Sequence, residues 1–234
     1  MVKYWAIPAI LAGAVVLGGC DAQSSKETTE KKLVGVIDET DLNDIMLTVA
    51  DPNESVNYFQ NALSKDPTRT EFKRGLAQSL LRAKRIPEAV VMYEELMKDK
   101  ESNNQDRVNY ADVLIRDNKW KEAKIQLDSV PPTFETYQRY RLEAIVADSK
   151  KDWKKADSFY ETAVGMTTQP ANVLNNWGYS KLTRGDVKSA EGLFIKAITY
   201  DKSLFTAKNN LILARGSQRN YKMPIIPVLS LIHI

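Results

Sequence analysis

Asn176-Trp177-Gly178, then Gly185-Asp186, Ala190, Phe194 and Ala197, is the stretch that decides the fold, because its spacing recurs along the chain. A small residue stands at Ser55, Ala89, Ala123, Ala156 and Ala190, in steps of 34, 34, 33 and 34. Four places after each comes a large residue: Phe59, Tyr93, Leu127, Tyr160, Phe194. Three places further lie Ala62, Leu96, Val130, Ala163 and Ala197. A second small residue recurs upstream at Ala77, Ala111, Ala144 and Gly178. A fixed period of this length marks a repeat architecture, in which no single unit can bury its apolar face alone.

Each period reads as two antiparallel helices. The upstream small residue lets the second helix approach, the downstream one packs back on the first, and the large residue fills the space toward the next unit. Turn chemistry falls between the helices. In Arg184-Gly185-Asp186 the glycine tolerates positive φ at a helix end and the aspartate can cap the next helix. Lys84-Arg85, Asn118-Lys119 and Lys151-Asp152 hold the same place with weaker turn residues. Asp66-Pro67 ends one unit, since proline cannot continue a helix. Pro131-Pro132, with Thr133 as N-cap, marks another boundary.

The register resembles the tetratricopeptide repeat. That resemblance implies an all-α, right-handed superhelical solenoid over residues 41–217. A partial unit occupies 41–69, with helices near Leu42–Val49 and Pro52–Lys65. Full units cover about 70–103, 104–136, 137–170 and 171–204, and a final helix covers 205–217. It also implies that the first helix of each unit lines a concave face through its second, fifth, ninth and twelfth positions. Fifth positions are Arg74, Val108, Arg141, Asn175 and Asn209, and ninth positions include Gln78, Asp112, Ile145 and Tyr179. Arg and Asn there suit peptide carboxylates or backbone, and Ile145 and Tyr179 suit apolar side chains. Solvated side chains are the competing reading of each. Trp120, Trp153 and Trp177 read as packing residues.

The N-terminus is a targeting segment. Lys3 precedes an apolar run from Trp5 to Val16, closed by Leu17-Gly18-Gly19-Cys20. The run is shorter than the roughly 20 apolar residues of a spanning helix and fits a signal peptide over residues 1–19. Its ending resembles a bacterial lipoprotein signal, which implies cleavage before Cys20 and acylation of that thiol. An ordinary secretory signal or a short membrane anchor would leave the cysteine incidental. Residues 20–40 have tether composition, and the acidic patch Asp38, Glu39, Asp41, Asp44 lacks the ordered spacing and glycine of a calcium loop.

Composition excludes several classes. There are 33 Lys and Arg against 30 Asp and Glu, interspersed, so no nucleic-acid stripe stands out. One Cys and one His (His233) permit neither an internal disulfide nor a metal site built from several such ligands. No phosphate-binding glycine loop, nucleophile elbow or helical His pair occurs. Glu94 and Glu95 are solvated carboxylates of a kind every such helix carries. No catalysis, cofactor or small-molecule substrate is expected.

Lipoprotein signal, tether and unit number together resemble the TadD-type lipoprotein of tight-adherence (Flp) pilus assembly. The segment Ala207-Lys208-Asn209-Asn210-Leu211, Arg215-Gly216, Gln218-Arg219-Asn220-Tyr221, Pro224 and Pro227 adds to the resemblance. It implies a periplasm-facing, membrane-anchored scaffold for protein partners such as the pilus secretin. The outer membrane follows from the family, while Asp21 after the cysteine resembles an inner-membrane retention signal. Other readings of a repeat lipoprotein are a secretin pilotin, an outer-membrane assembly subunit and a scaffold for cell-wall enzymes. Residues 218–234 form a proline-containing tail whose apolar end, Leu229–Ile234, reads as a truncated terminus without the polar closing helix solenoids need.

Overall fold

Lys84, Asn118, Lys151 and Gly185 take left-handed backbone, with φ of 60°, 59°, 59° and 84°. They stand one repeat apart, and each joins the two helices of one unit. The residue after each donates its N–H five places back in the Schellman pattern: Arg85 to Leu80, Lys119 to Leu114, Asp152 to Ala147, Asp186 to Lys181, at 2.8–3.0 Å. All four turns are therefore built alike, although only the last uses glycine.

The computed structural model describes residues 39–218. These are all-helical: α1 Glu39–Thr48, α2 Pro52–Lys65, α3 Thr70–Arg82, α4 Ile86–Leu96, α5 Asn104–Arg116, α6 Trp120–Asp128, α7 Tyr137–Ser149, α8 Trp153–Gly165, α9 Ala171–Thr183, α10 Val187–Tyr200 and α11 Phe205–Ser217. Contacts divide the chain into Met1–Ile45, of which only the start of α1 is described, and Met46–Ile234, which holds the repeats. The helix at Glu39 takes in part of the acidic patch read as linker. Cys20, the signal segment and the apolar ending lie outside the described residues.

Caps set the helix starts. Asp51 accepts from the N–H of Asn53 at 2.8 Å and Pro52 opens α2. Asn103 and Asp106 form a reciprocal capping box on α5. Asp152 and Asp186 accept from Lys155 and Ser189 at the heads of α8 and α10. The cap of α7 is Thr136, not Thr133: Phe134 N–H closes a turn on Pro131 O at 3.0 Å and draws Thr133 into that turn.

The small residues meet at the helix crossings. Ser55, Ala89, Ala123, Ala156 and Ala190 are each 0% exposed, as are Ala77, Ala111 and Ala144. A Cβ on Gly178 would come within 2.6 Å of the Phe194 ring, so glycine is required for this approach. Gly75 has the same relation to Phe59, at 2.3 Å. The large residues Phe59, Tyr93, Leu127, Tyr160 and Phe194 form the middle of the core.

First helices of successive units (α3, α5, α7, α9, α11) touch one another, whereas the second helices (α4, α6, α8, α10) do not. The row of units therefore curves with the first helices on its inner side.

Candidate binding face

The inner side carries the residues singled out in the sequence, and four of them, Arg74, Asp112, Arg141 and Asn175, hold neighbouring units together. Arg74 donates from Nε and Nη2 to the two oxygens of Asp106, at 2.7 and 2.9 Å, and from Nη2 to Glu101 O at 3.2 Å. Asp106 is 1% exposed and also accepts from Asn103 N–H at 3.0 Å. The hydrogen bond to Asp106 raises the Arg74 pKa further, so the guanidinium is charged at any working pH. Charge-assisted bidentate pairs of this type are strong and geometrically fixed.

Asp112 accepts from Arg116 Nε at 3.2 Å and lies 3.6 Å from Arg141. Asn175, 9% exposed, accepts from Asn210 Nδ2 at 3.0 Å. Val108 is 1% and Ile145 8% exposed, both in the core cluster. A branched aliphatic side chain with apolar neighbours on every side offers no contact surface. Gln78, Tyr179 and Asn209 remain half-buried on the inner side. Tyr179 packs its ring against the Ala190–Phe194–Ala214 cluster.

Sequence reading missed the acids that organise these joints. Asp157 in α8 accepts from Trp177 Nε1 at 2.6 Å, from Lys181 at 3.0 Å and from Arg184, whose guanidinium also lies 5.6 Å from the Trp153 ring centre. Burial pushes the Asp157 carboxyl up, but the donors outweigh it and hold it below the usual range. Asp148 accepts from Ser180 at 2.7 Å and Tyr160 at 2.9 Å, and burial holds it above the usual range despite both. The capping-box spacing Asn103-x-x-Asp106 is a usable signal for Asp106. Nothing local marks Asp148 or Asp157, whose partners lie 12–32 residues away.

No cluster of three or more His, Cys, Asp or Glu suited to a metal occurs among the described residues, and no described helix is long and apolar enough to cross a membrane.

Residues 47–106 match the family model for the tetratricopeptide repeat. Among solved structures, Cut9–Hcn1 of an APC/C hetero-tetramer shares 13% identity over 77% of this chain and 36% of its own, with a TM-score of 0.65. The human IFIT1 dimer with m7Gppp-AAAA shares 16% over 73% and 43%, with a TM-score of 0.64. TTC0263, a thermophilic TPR protein of Thermus thermophilus, shares 14% over 74% and 95%, with a TM-score of 0.62. No curated protein sequence matches the chain. At these identities the likeness is one of fold, and the chain spans about a third of the first of these structures. The fold is that of a tetratricopeptide solenoid. Such repeats typically serve as scaffolds for protein–protein contact, their curvature providing an extended inner surface.

Proposed function

We propose that this chain is a lipid-anchored, non-enzymatic scaffold of the bacterial cell envelope, facing the periplasm, that holds a protein component of a tight-adherence (Flp) pilus assembly machine. The observation that carries the scaffold reading is the curved row of first helices with Gln78, Tyr179 and Asn209 left half-buried along its inner side. Side chains with one buried flank and one wet flank can seat an extended segment of another protein at little cost in their own ordering. The anchor reading rests on Cys20 after a short apolar run, and the tether over 20–40 would let the solenoid reach a membrane-embedded partner. The pilus assignment rests on resemblance to the TadD-type lipoproteins.

Substituting Gln78, Tyr179 and Asn209 together by Ala should remove the partner from material cross-linked and purified out of membranes, with the helical circular dichroism unchanged. An undiminished partner would sink the inner-face reading. Recovery of peptidoglycan enzymes in place of pilus proteins would sink the pilus assignment while leaving the scaffold standing. Cys20→Ser should move the chain from the membrane to the soluble periplasmic fraction. Retention of acylation in that variant would refute the anchor.

A further inference from the structure

We propose that the joint between α6 and α7 is the hinge of this solenoid, and that ionisation of Glu143 loosens it. Residues one repeat apart on the first helices, Leu76, Tyr110, Glu143, Trp177 and Leu211, occupy one place in the unit. Each neighbouring full joint fills this place with an aromatic ring. Tyr110 stacks on Tyr93 at 5.7 Å, and Trp177 on Tyr160 at 6.2 Å, with the planes within 17° of parallel. Such pairs add to the burial of their apolar area. At α6–α7 the ring is replaced on both sides: Leu127 stands where Tyr93 and Tyr160 stand, and Glu143 stands where Tyr110 and Trp177 stand. The helix α6 is also the shortest second helix, and the period here is 33 residues where it is 34 on either side.

Glu143 is 8% exposed and accepts no hydrogen bond from any described residue. Its charged surroundings are Lys124 and Asp128 from α6, Arg139 from its own helix and Lys155 from α8. Each cation is otherwise engaged. Lys124 pairs with Asp128, Lys155 lies over the Phe159 ring, and Arg139 donates from Nη1 to the carbonyls of Pro131 and Phe134. Arg139 Nε is itself buried without a partner. A nearly buried carboxyl that no donor reaches and a buried, unpartnered Arg139 Nε thus sit at one joint. Burial holds the Glu143 carboxyl above its ordinary range. The neutral acid is therefore the form that suits the closed joint, and the carboxylate is the form that suits an opened, wetted one.

Spin labels at Lys121→Cys and Lys154→Cys, in a full chain carrying Cys20→Ser, span this joint. Labels at Lys154→Cys and Lys188→Cys span the next one. Pulsed dipolar spectroscopy at pH 8 should give a broader distance distribution for the first pair than for the second. That breadth should shrink at pH 5, and E143Q should shrink it at pH 8. E143L should do so further, and E143Q, being nearly isosteric, carries the test if E143L fails to fold. Equal widths at both joints would overturn the hinge. A broad first pair indifferent to pH and to E143Q would overturn the role of Glu143.

Discussion

The α8–α9 joint and the α6–α7 joint occupy the same place in the repeat and have opposite side-chain solutions. At α8–α9 one carboxylate, Asp157, gathers an indole N–H, an ammonium and a guanidinium, and a second, Asp148, takes two hydroxyls, beneath a stacked ring pair. At α6–α7, Glu143 in the place of Trp177 is a nearly buried carboxyl that no donor reaches, and the cross-joint ion pair, Arg141 to Asp112, is 3.6 Å long. The lesson is that a repeat period fixes where helices cross and not how firmly adjacent units are joined. Helix crossings depend on small residues at set places. Joint strength depends on whether each buried polar group meets a partner from the next unit, and that varies from joint to joint.

The contrast can be broken hardest at α4–α5. Arg74→Ala leaves Asp106, 1% exposed, without its bidentate partner. Removing one side of a buried pair costs about 3 kcal/mol. The equivalent change at α6–α7, Arg141→Ala, removes only a long pair between half-buried groups and should cost less than about 1 kcal/mol. Urea denaturation of both variants measures the difference. Equal losses would mean that ion-pair geometry does not distinguish the joints.

A smaller effect separates the joints by pH. Asp157 titrates below its ordinary value of 3.8, so its stabilisation is complete above that value and is lost as pH falls through the lower folded value. Wild type should therefore exceed Asp157→Asn by about 2 kcal/mol at neutral pH, and the gap should close in acid. Glu143 titrates above its ordinary 4.5, so its penalty is absent below 4.5 and grows as pH rises through the folded value. Glu143→Gln should then be more stable than wild type at pH 8 by about 1 kcal/mol, with no gain below pH 4.5. Thermal melts across pH test both signs, and slopes of the same sign in the two variants would contradict the assignment.

How far the sequence discloses these differences follows from distance along the chain. The helix pairs are legible because each is set by residues a few places apart: Gly185 and Asp186 at a turn, Pro52 behind Asp51 at a helix start, Ala190 and Phe194 on one helix face. Fifth-position residues such as Arg74 and Asn175 are legible as inner-side residues by count alone. Their occupation is not, because Asp106 and Asn210 come from the next unit, 32 and 35 residues on, and nothing near Arg74 announces them. Val108 shows the same limit: its place in the period is that of Arg74, and only the packed neighbours put it in the core. Thr133 is a plausible cap by residue type, and the turn closed by Phe134 N–H is what moves the cap to Thr136.

The smallest effect tests the premise that the hairpins inside the units are equivalent. Gly185, at φ 84°, has nothing within 4 Å of the position a Cβ would take, so Gly185→Ala meets no clash and pays only for left-handed backbone. That penalty is about 1 kcal/mol. The reverse exchange at Lys151, φ 59°, relieves the same strain and loosens the unfolded chain as Gly185→Ala tightens it, so Lys151→Gly should stabilise by about as much as Gly185→Ala destabilises. Lys84→Gly, at φ 60°, should match Lys151→Gly, because the two turns share one hydrogen-bond pattern. Lys84 and Lys151 lie in units on opposite sides of the α6–α7 joint. Equal gains in urea titrations would place the asymmetry of the solenoid in its joints, and unequal gains would place part of it in the units themselves.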